Sequence, residues 1–102
     1  MASIVEEITI SFSDEKGMLL VKELDKKILS KGAWATVMFK YQNLDKGSGK
    51  FKEPKISIRR YQKINEEFRL KSKFNISSDE QAGLIIDTLE RWIGKKPGKS
   101  KR

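Results

Sequence analysis

The sequence predicts an α+β fold: an antiparallel β-sheet of four or five strands followed by one C-terminal amphipathic helix. Two observations predict it. Apolar and β-branched residues alternate with polar ones in several segments before residue 77. After residue 77 the apolar spacing changes to that of a helix. Strands first and a helix last is the order of an α+β domain rather than of repeated strand–helix–strand units. A chain of 102 residues has the size of a single domain. Residues 1–94 are expected to form it, and residues 95–102 to form a disordered basic tail.

Taken in order, Ile8, Ile10 and Phe12 alternate with Thr9, Ser11 and Ser13, the period of a half-buried strand. Asp14-Glu15-Lys16-Gly17 reads as a turn, with Gly17 free to take positive φ. Over Met18–Lys31, Leu20, Leu24 and Lys27-Ile28 suit a helix, and Leu19-Leu20-Val21 suits a strand. The strand is preferred, as the second arm of a hairpin that extends the sheet over residues 1–30. Gly32 punctuates. Trp34, Thr36, Val37, Phe39 and Tyr41 then mark a strand over Ala33–Asn43. Residues 45–50, Asp-Lys-Gly-Ser-Gly-Lys, form a loop by composition. Pro54 opens the next strand, where a missing N–H is tolerated. Lys55–Ile64 alternates, Asn65-Glu66-Glu67 turns the chain, and Phe68–Ile76 is a further strand. Ser77 and Ser78 are both N-cap candidates, three residues before Glu80 and Gln81. Ala82, Ile85, Ile86, Leu89 and Ile93 form the apolar stripe of the helix, Leu84 and Trp92 widen it, and Gly94 ends it.

Charge is unevenly distributed. Residues 1–30 carry 4 Lys and Arg against 6 Asp and Glu; residues 31–76 carry 12 against 4; residues 77–94 carry 1 against 4; residues 95–102 carry 5 against none. The cationic block therefore coincides with the strands. A basic sheet beside acidic flanks suits nucleic acid, because binding releases counterions condensed on the phosphates.

Other classes are disfavoured. There is no Cys and no His, so disulfides, thiolate sites and the commonest general base and metal ligand are absent. No cofactor or metal site is expected. No pair of acids falls at a recognisable catalytic spacing, and Gly47-Ser48-Gly49 is too short for a phosphate-binding loop. An enzyme is not expected. No apolar run approaches the length of a membrane span and the N-terminus lacks a signal-peptide pattern. An intracellular protein, cytoplasmic or nucleoid-associated, with no membrane partner, is expected.

Successive strand side chains point to opposite faces. On the expected solvent face stand Lys40, Lys55, Arg59, Lys63, Arg69, Lys71 and Lys73, with Trp34 and Tyr61 among them. Ile56, Ile58, Phe68, Leu70, Phe74 and Ile76 are expected on the core face with Val37, Phe39 and Tyr41. Cations track a phosphate backbone, and aromatic rings stack on unpaired bases without reading sequence. The same cations also fit a solvated face and a protected strand edge. Trp34, near a strand start, suits a core as well as a platform. Arg60 breaks the apolar face and reads as a salt-bridge or edge residue.

Residues 55–89 resemble the single-stranded-DNA-binding domain of the transcriptional coactivator positive cofactor 4 (Sub-one) family, in its bacterial and phage form. Ile56-Ser57-Ile58-Arg59-Arg60-Tyr61 is similar to that family's Ile-x-Ile-Arg-Glu-Tyr strand. Arg69–Ser77 is similar to its basic hairpin strand, and Asp79-Glu80-Gln81 to its helix start. The resemblance implies four strands and a helix, paired as a homodimer through the helices, with Ile85, Ile86, Leu89, Trp92 and Ile93 at the interface. It implies phosphate contacts from Arg59, Lys71 and Lys73. Gln62 stands where the family often has an aromatic, and Phe74 and Asn75 replace hairpin glycines. These departures shift the expected stacking to Trp34, Phe39 or Tyr41.

The expected function is sequence-tolerant binding of single-stranded DNA by a homodimer in transcription, replication or recombination, beside the corresponding machinery. Melted duplex or RNA is an alternative ligand. A protein-interaction module using the C-terminal helix is the alternative of a different class.

Overall fold

The computed structural model describes residues 2–94. A short 3-10 turn over Val5–Glu7 precedes six strands: β1 (Phe12–Ser13), β2 (Leu19–Ser30), β3 (Trp34–Asp45), β4 (Lys50–Phe51), β5 (Lys55–Ile64) and β6 (Glu67–Ile76). Helix α1 (Asp79–Ile93) follows. All pairings are antiparallel. The sheet order is β1-β2-β3-β5-β6, with β4 paired to the end of β3. The expected class, an antiparallel sheet and one C-terminal helix, is what the chain adopts. The basic tail after Gly94 lies outside the described residues.

Local chemistry explains the connections. Asp14 Oδ1 accepts from the backbone N–H groups of Lys16 and Met18, both at 2.9 Å, and Gly17 sits at φ 85°. This turn sends β1 back along β2. Asn65 and Glu66 both take positive φ, 52° and 67°. Left-handed backbone at both central residues suits a two-residue hairpin turn, whose twist matches that of the flanking strands. Ser78 caps α1: its hydroxyl accepts from Gln81 N–H at 3.0 Å. Gln81 Oε1 in turn accepts from the backbone N–H and hydroxyl of Ser77. Gly94, at φ 84°, ends the helix in the left-handed region that glycine adopts without strain.

The first segment differs from expectation. Only Phe12 and Ser13 of the predicted strand over Ile8–Ser13 pair as a strand, and Phe12 is exposed. Residues 2–10 instead cross one face of the sheet. At one end Ala2 C=O accepts from Phe68 N–H of β6, at 2.9 Å. At the other, Lys26 of β2 donates through Nζ to the carbonyls of Glu6 and Ile8, at 2.7 and 2.6 Å. Glu23 Oε1 accepts from Thr9 Oγ1 and Ile10 N–H. Side chains thus replace ladder hydrogen bonds for a segment that lies over the sheet instead of beside it.

This crossing builds the core. Val5, Ile8 and Ile10 pack on Ala35, Val37, Phe39 and Tyr41 of β3, Tyr61 of β5 and Phe68 of β6. Helix α1 adds nothing to it. None of its residues is buried, and its main packing partner is β6. The radius of gyration, 15.7 Å, exceeds the about 13 Å of a compact chain this long.

Candidate nucleic-acid interface

Strand register decides which side chains meet. In β3 and β5, Val37 lies opposite Arg59, Phe39 opposite Ser57, Ala35 opposite Tyr61 and Tyr41 opposite Lys55. Cross-strand partners share a face. The face carrying Arg59 is therefore the core face, the one that residues 2–10 cover. Ile56 and Ile58 are half-buried on the other face, the open one, where no described residue of β3 or β5 is fully buried. This reverses the expected core side of β5. It also buries Tyr61, 7% exposed, which was expected as a binding residue.

The register splits the expected binding set. Lys55, Arg59 and Lys63 lie on the covered face, and Lys73, opposite Arg59, joins them. Trp34 and Lys40 lie on the open face, opposite Gln62 and Ile56. In β6 the pairing shifts between Arg60–Ser72 and Tyr61–Leu70, leaving Lys71 without a partner. This bulge inverts the alternation, since one inserted residue changes the face of all that follow. Hence Phe68 and Leu70 join the covered face, and Arg69, opposite Gln62, joins the open one. The expected single surface of seven cations is two surfaces joined at an edge.

On the covered face, β5 and β6 form the outer half of a groove of ≈ 610 Å³. Ala2, Glu7, Ile8 and Thr9 form one wall, and Tyr61, Phe68, Arg59, Arg69 and Leu70 line the rest. Arg59 is held in place: its Nε donates to Ser57 Oγ at 3.2 Å, and Ser57 Oγ donates to Asn75 Oδ1 at 2.6 Å. Ser57 is fully buried, so both its hydrogen bonds are made in a dry setting. Directly opposite stands Lys73, a second cation. Neither forms a salt bridge with an acid among the described residues. Like charges directly opposed across a ladder destabilise it. Of the two, Arg59 lines the groove, whose opposite wall carries the Glu7 carboxylate; an anion bound between Arg59 and Lys73 would relieve their repulsion.

The other cations are more engaged. Lys63 Nζ lies 5.7 Å from the Phe68 ring centroid and 4.0 Å from Glu66. Arg69 reaches Glu67 at 3.4 Å. Lys31 pairs with Glu6, whose carboxyl it holds below the usual carboxylate range. Sequence reading missed Lys26, the residue that anchors the covering segment. Its place in a Lys-rich strand gives no signal for that role.

Burial pushes the Tyr61 phenol above its ordinary value of 10.0, and the Arg59 guanidinium pulls weakly the other way. The folded state thus holds this proton more tightly than the unfolded chain. The associated stability is fully present below the ordinary tyrosine range and is lost as pH rises through the folded value. In alkaline unfolding titrations, stability should fall above the ordinary tyrosine pKa, and Tyr61→Phe should flatten that fall.

No family model, curated protein or solved structure matches this chain. The reading of the site therefore rests on its own geometry. Among the described residues no group of three or more His, Cys, Asp or Glu could hold a metal ion, and no helix is long and apolar enough to cross a membrane.

Proposed function

We propose that this chain binds single-stranded nucleic acid, DNA first, along the β5–β6 half of the covered face, and does so as a homodimer. The observation that carries the reading is the Arg59–Lys73 pair. Two cations face each other, unneutralised by acids, with one of them oriented by a buried serine. A fold spends stability on such a pair most readily where an anion completes it. Lys55 extends the row toward the helix end of β5 and Lys63 toward the hairpin. The groove is shallow and bounded by the chain on one side. A flexible single strand fits it better than a duplex, whose grooves more often take a helix.

Fluorescence anisotropy of a labelled single-stranded oligonucleotide, beside its duplex and its RNA counterpart, tests this. Tighter binding of the single strand with a steep salt slope is expected. Equal or absent binding of all three would overturn the proposal.

The dimer has separate support. Trp92 is 76% exposed, and Leu84, Ile86, Leu89 and Ile93 are exposed as well, while Ile85 is half-buried. The open face shows Ile56, Ile58 and the exposed Phe74. Exposed apolar side chains in this number are of the kind that marks an interface. A second copy covers them in this reading. Sedimentation should give a dimer, and Leu89→Asp should give a monomer with its sheet intact. A wild-type monomer at micromolar concentration would favour a different protein partner for the helix.

A further inference from the structure

The open face has a second half that neither the core nor the proposed dimer uses. It lies at the end of the sheet remote from α1. There Trp34 stands opposite Gln62 and Thr36 opposite Arg60. Gln62 in turn stands opposite Arg69, and Arg60 opposite Ser72. Three strands thus place a tryptophan, two arginines, an amide and two hydroxyls on one patch. Residues 2–10 lie on the other face, and the apolar surface proposed for the dimer lies at the helix end.

The Arg60 guanidinium carbon lies 4.4 Å from the Trp34 ring centroid. Arg60 is exposed and forms no salt bridge with an acid among the described residues, and Trp34 is 39% exposed. The guanidinium lies over the indole ring, and no acid among the described residues occupies its N–H edge. An arginine placed in this way loses less rotamer freedom on binding, and its planar fork matches a phosphate. The exposed part of the indole beside it is a surface on which a base can stack. The sequence suggested a salt-bridge or edge role for Arg60, and the structure gives it an aromatic partner instead.

Arg69 connects this patch to the groove. It borders the groove, yet it sits in register with Gln62 of the open face. β6 is the edge strand, and its bulge at Lys71 breaks the ladder at the same level. A chain leaving Arg59 therefore meets Leu70, Lys71 and Arg69 as it turns the edge.

We propose that Arg60 and Trp34 form a second nucleic-acid subsite on the open face. Arg60 takes a phosphate, Trp34 stacks a neighbouring base, and one strand runs from the Arg59 groove around the β6 edge to reach them. This inference rests on the single-stranded nucleic-acid reading above and extends it.

A labelled thymidine oligomer, titrated into the full chain, tests it with two readouts. Anisotropy reports binding, and tryptophan emission reports the subsite. The Trp34→Phe variant retains Trp92 alone, so the difference from wild type isolates Trp34. Trp34 emission should fall as the oligomer saturates. Arg60→Ala should weaken binding by about tenfold and lower the salt slope by about 0.7. Arg60→Lys should recover the slope but not the full affinity, because lysine lacks the plane. Circular dichroism of each variant checks that the sheet is retained. Unmoved Trp34 emission with wild-type affinity in Arg60→Ala, while the oligomer still binds, would overturn this subsite and leave the groove reading standing. No binding by the wild-type chain would overturn both.

Discussion

Phe39→Ala should cost about 3–5 kcal/mol of folding stability, the range for removing a buried aromatic. Phe39 is fully buried at the centre of β3, the largest side chain sealed from solvent, beside Val37 and Ser57. The core it belongs to is small: nine hydrophobic residues are buried among the described positions. It is also one-sided, with the covering residues 2–10 on one side and the sheet on the other. A cavity under that segment cannot close by moving a helix, because α1 does not reach it. Since a domain of this size holds about 5–15 kcal/mol in all, the variant should unfold at a much lower urea midpoint and expose its N-terminal segment to protease. Ile58→Ala, on the open face, should cost less. A reversed order of the two would place the core on the other face.

Arg59→Ala combined with Lys73→Ala should weaken single-strand binding by at least about a hundredfold, taking roughly 1.5 kcal/mol or more for each hydrogen bond to a charged group. The salt slope should fall by about 1.4, two phosphate contacts at about 0.7 each. The stability effect should run the other way for Lys73. Removing one of two opposed cations relieves repulsion in the folded state, so Lys73→Ala should fold as well as wild type or slightly better. Loss of binding with no loss of stability is the signature of a residue kept for its ligand. Arg59→Ala differs, because it also removes a hydrogen bond to the buried Ser57 hydroxyl. Anisotropy at two salt concentrations and urea unfolding of the three variants measure both effects. Wild-type affinity in the double variant would remove the groove from consideration.

The cations were legible in the sequence as a block, and so was their coincidence with strands. Their division into two faces was not, because alternation gives the relative facing of neighbours within one strand only while that strand stays regular. Lys71 adds one residue to β6, and Arg69 changes sides. Two further shifts in β2, between Glu23 and Asp25 and between Ile28 and Ser30, do the same at the other side of the sheet. A bulge in a strand of mixed Lys, Ser and Leu has no composition mark of its own. The Arg60–Trp34 stack was hidden for the same reason, since it depends on the register of β3 against β5.

The sequence by itself determined the three long strands from Trp34 to Ile76 and the helix, because their causes are local, but not the first segment, where only Phe12–Ser13 of the expected strand forms, nor the short β4 at Lys50–Phe51. Period-2 alternation makes the long strands, Gly17 and the Asn65-Glu66 pair sit at turns, and Ser78, Gln81 and Gly94 delimit the helix through bonds to near neighbours. Only the tertiary structure decided which face of the sheet is inside. β5 offers Ile56 and Ile58 on one side and Ser57 and Tyr61 on the other, and its own pattern favours the first. The second is buried because Val5, Ile8 and Ile10 arrive from outside the sheet to cover it, tied down by Lys26 and by the backbone of Phe68. Burial is a property of pairs of surfaces, and the partner of this one is more than forty residues away in the chain.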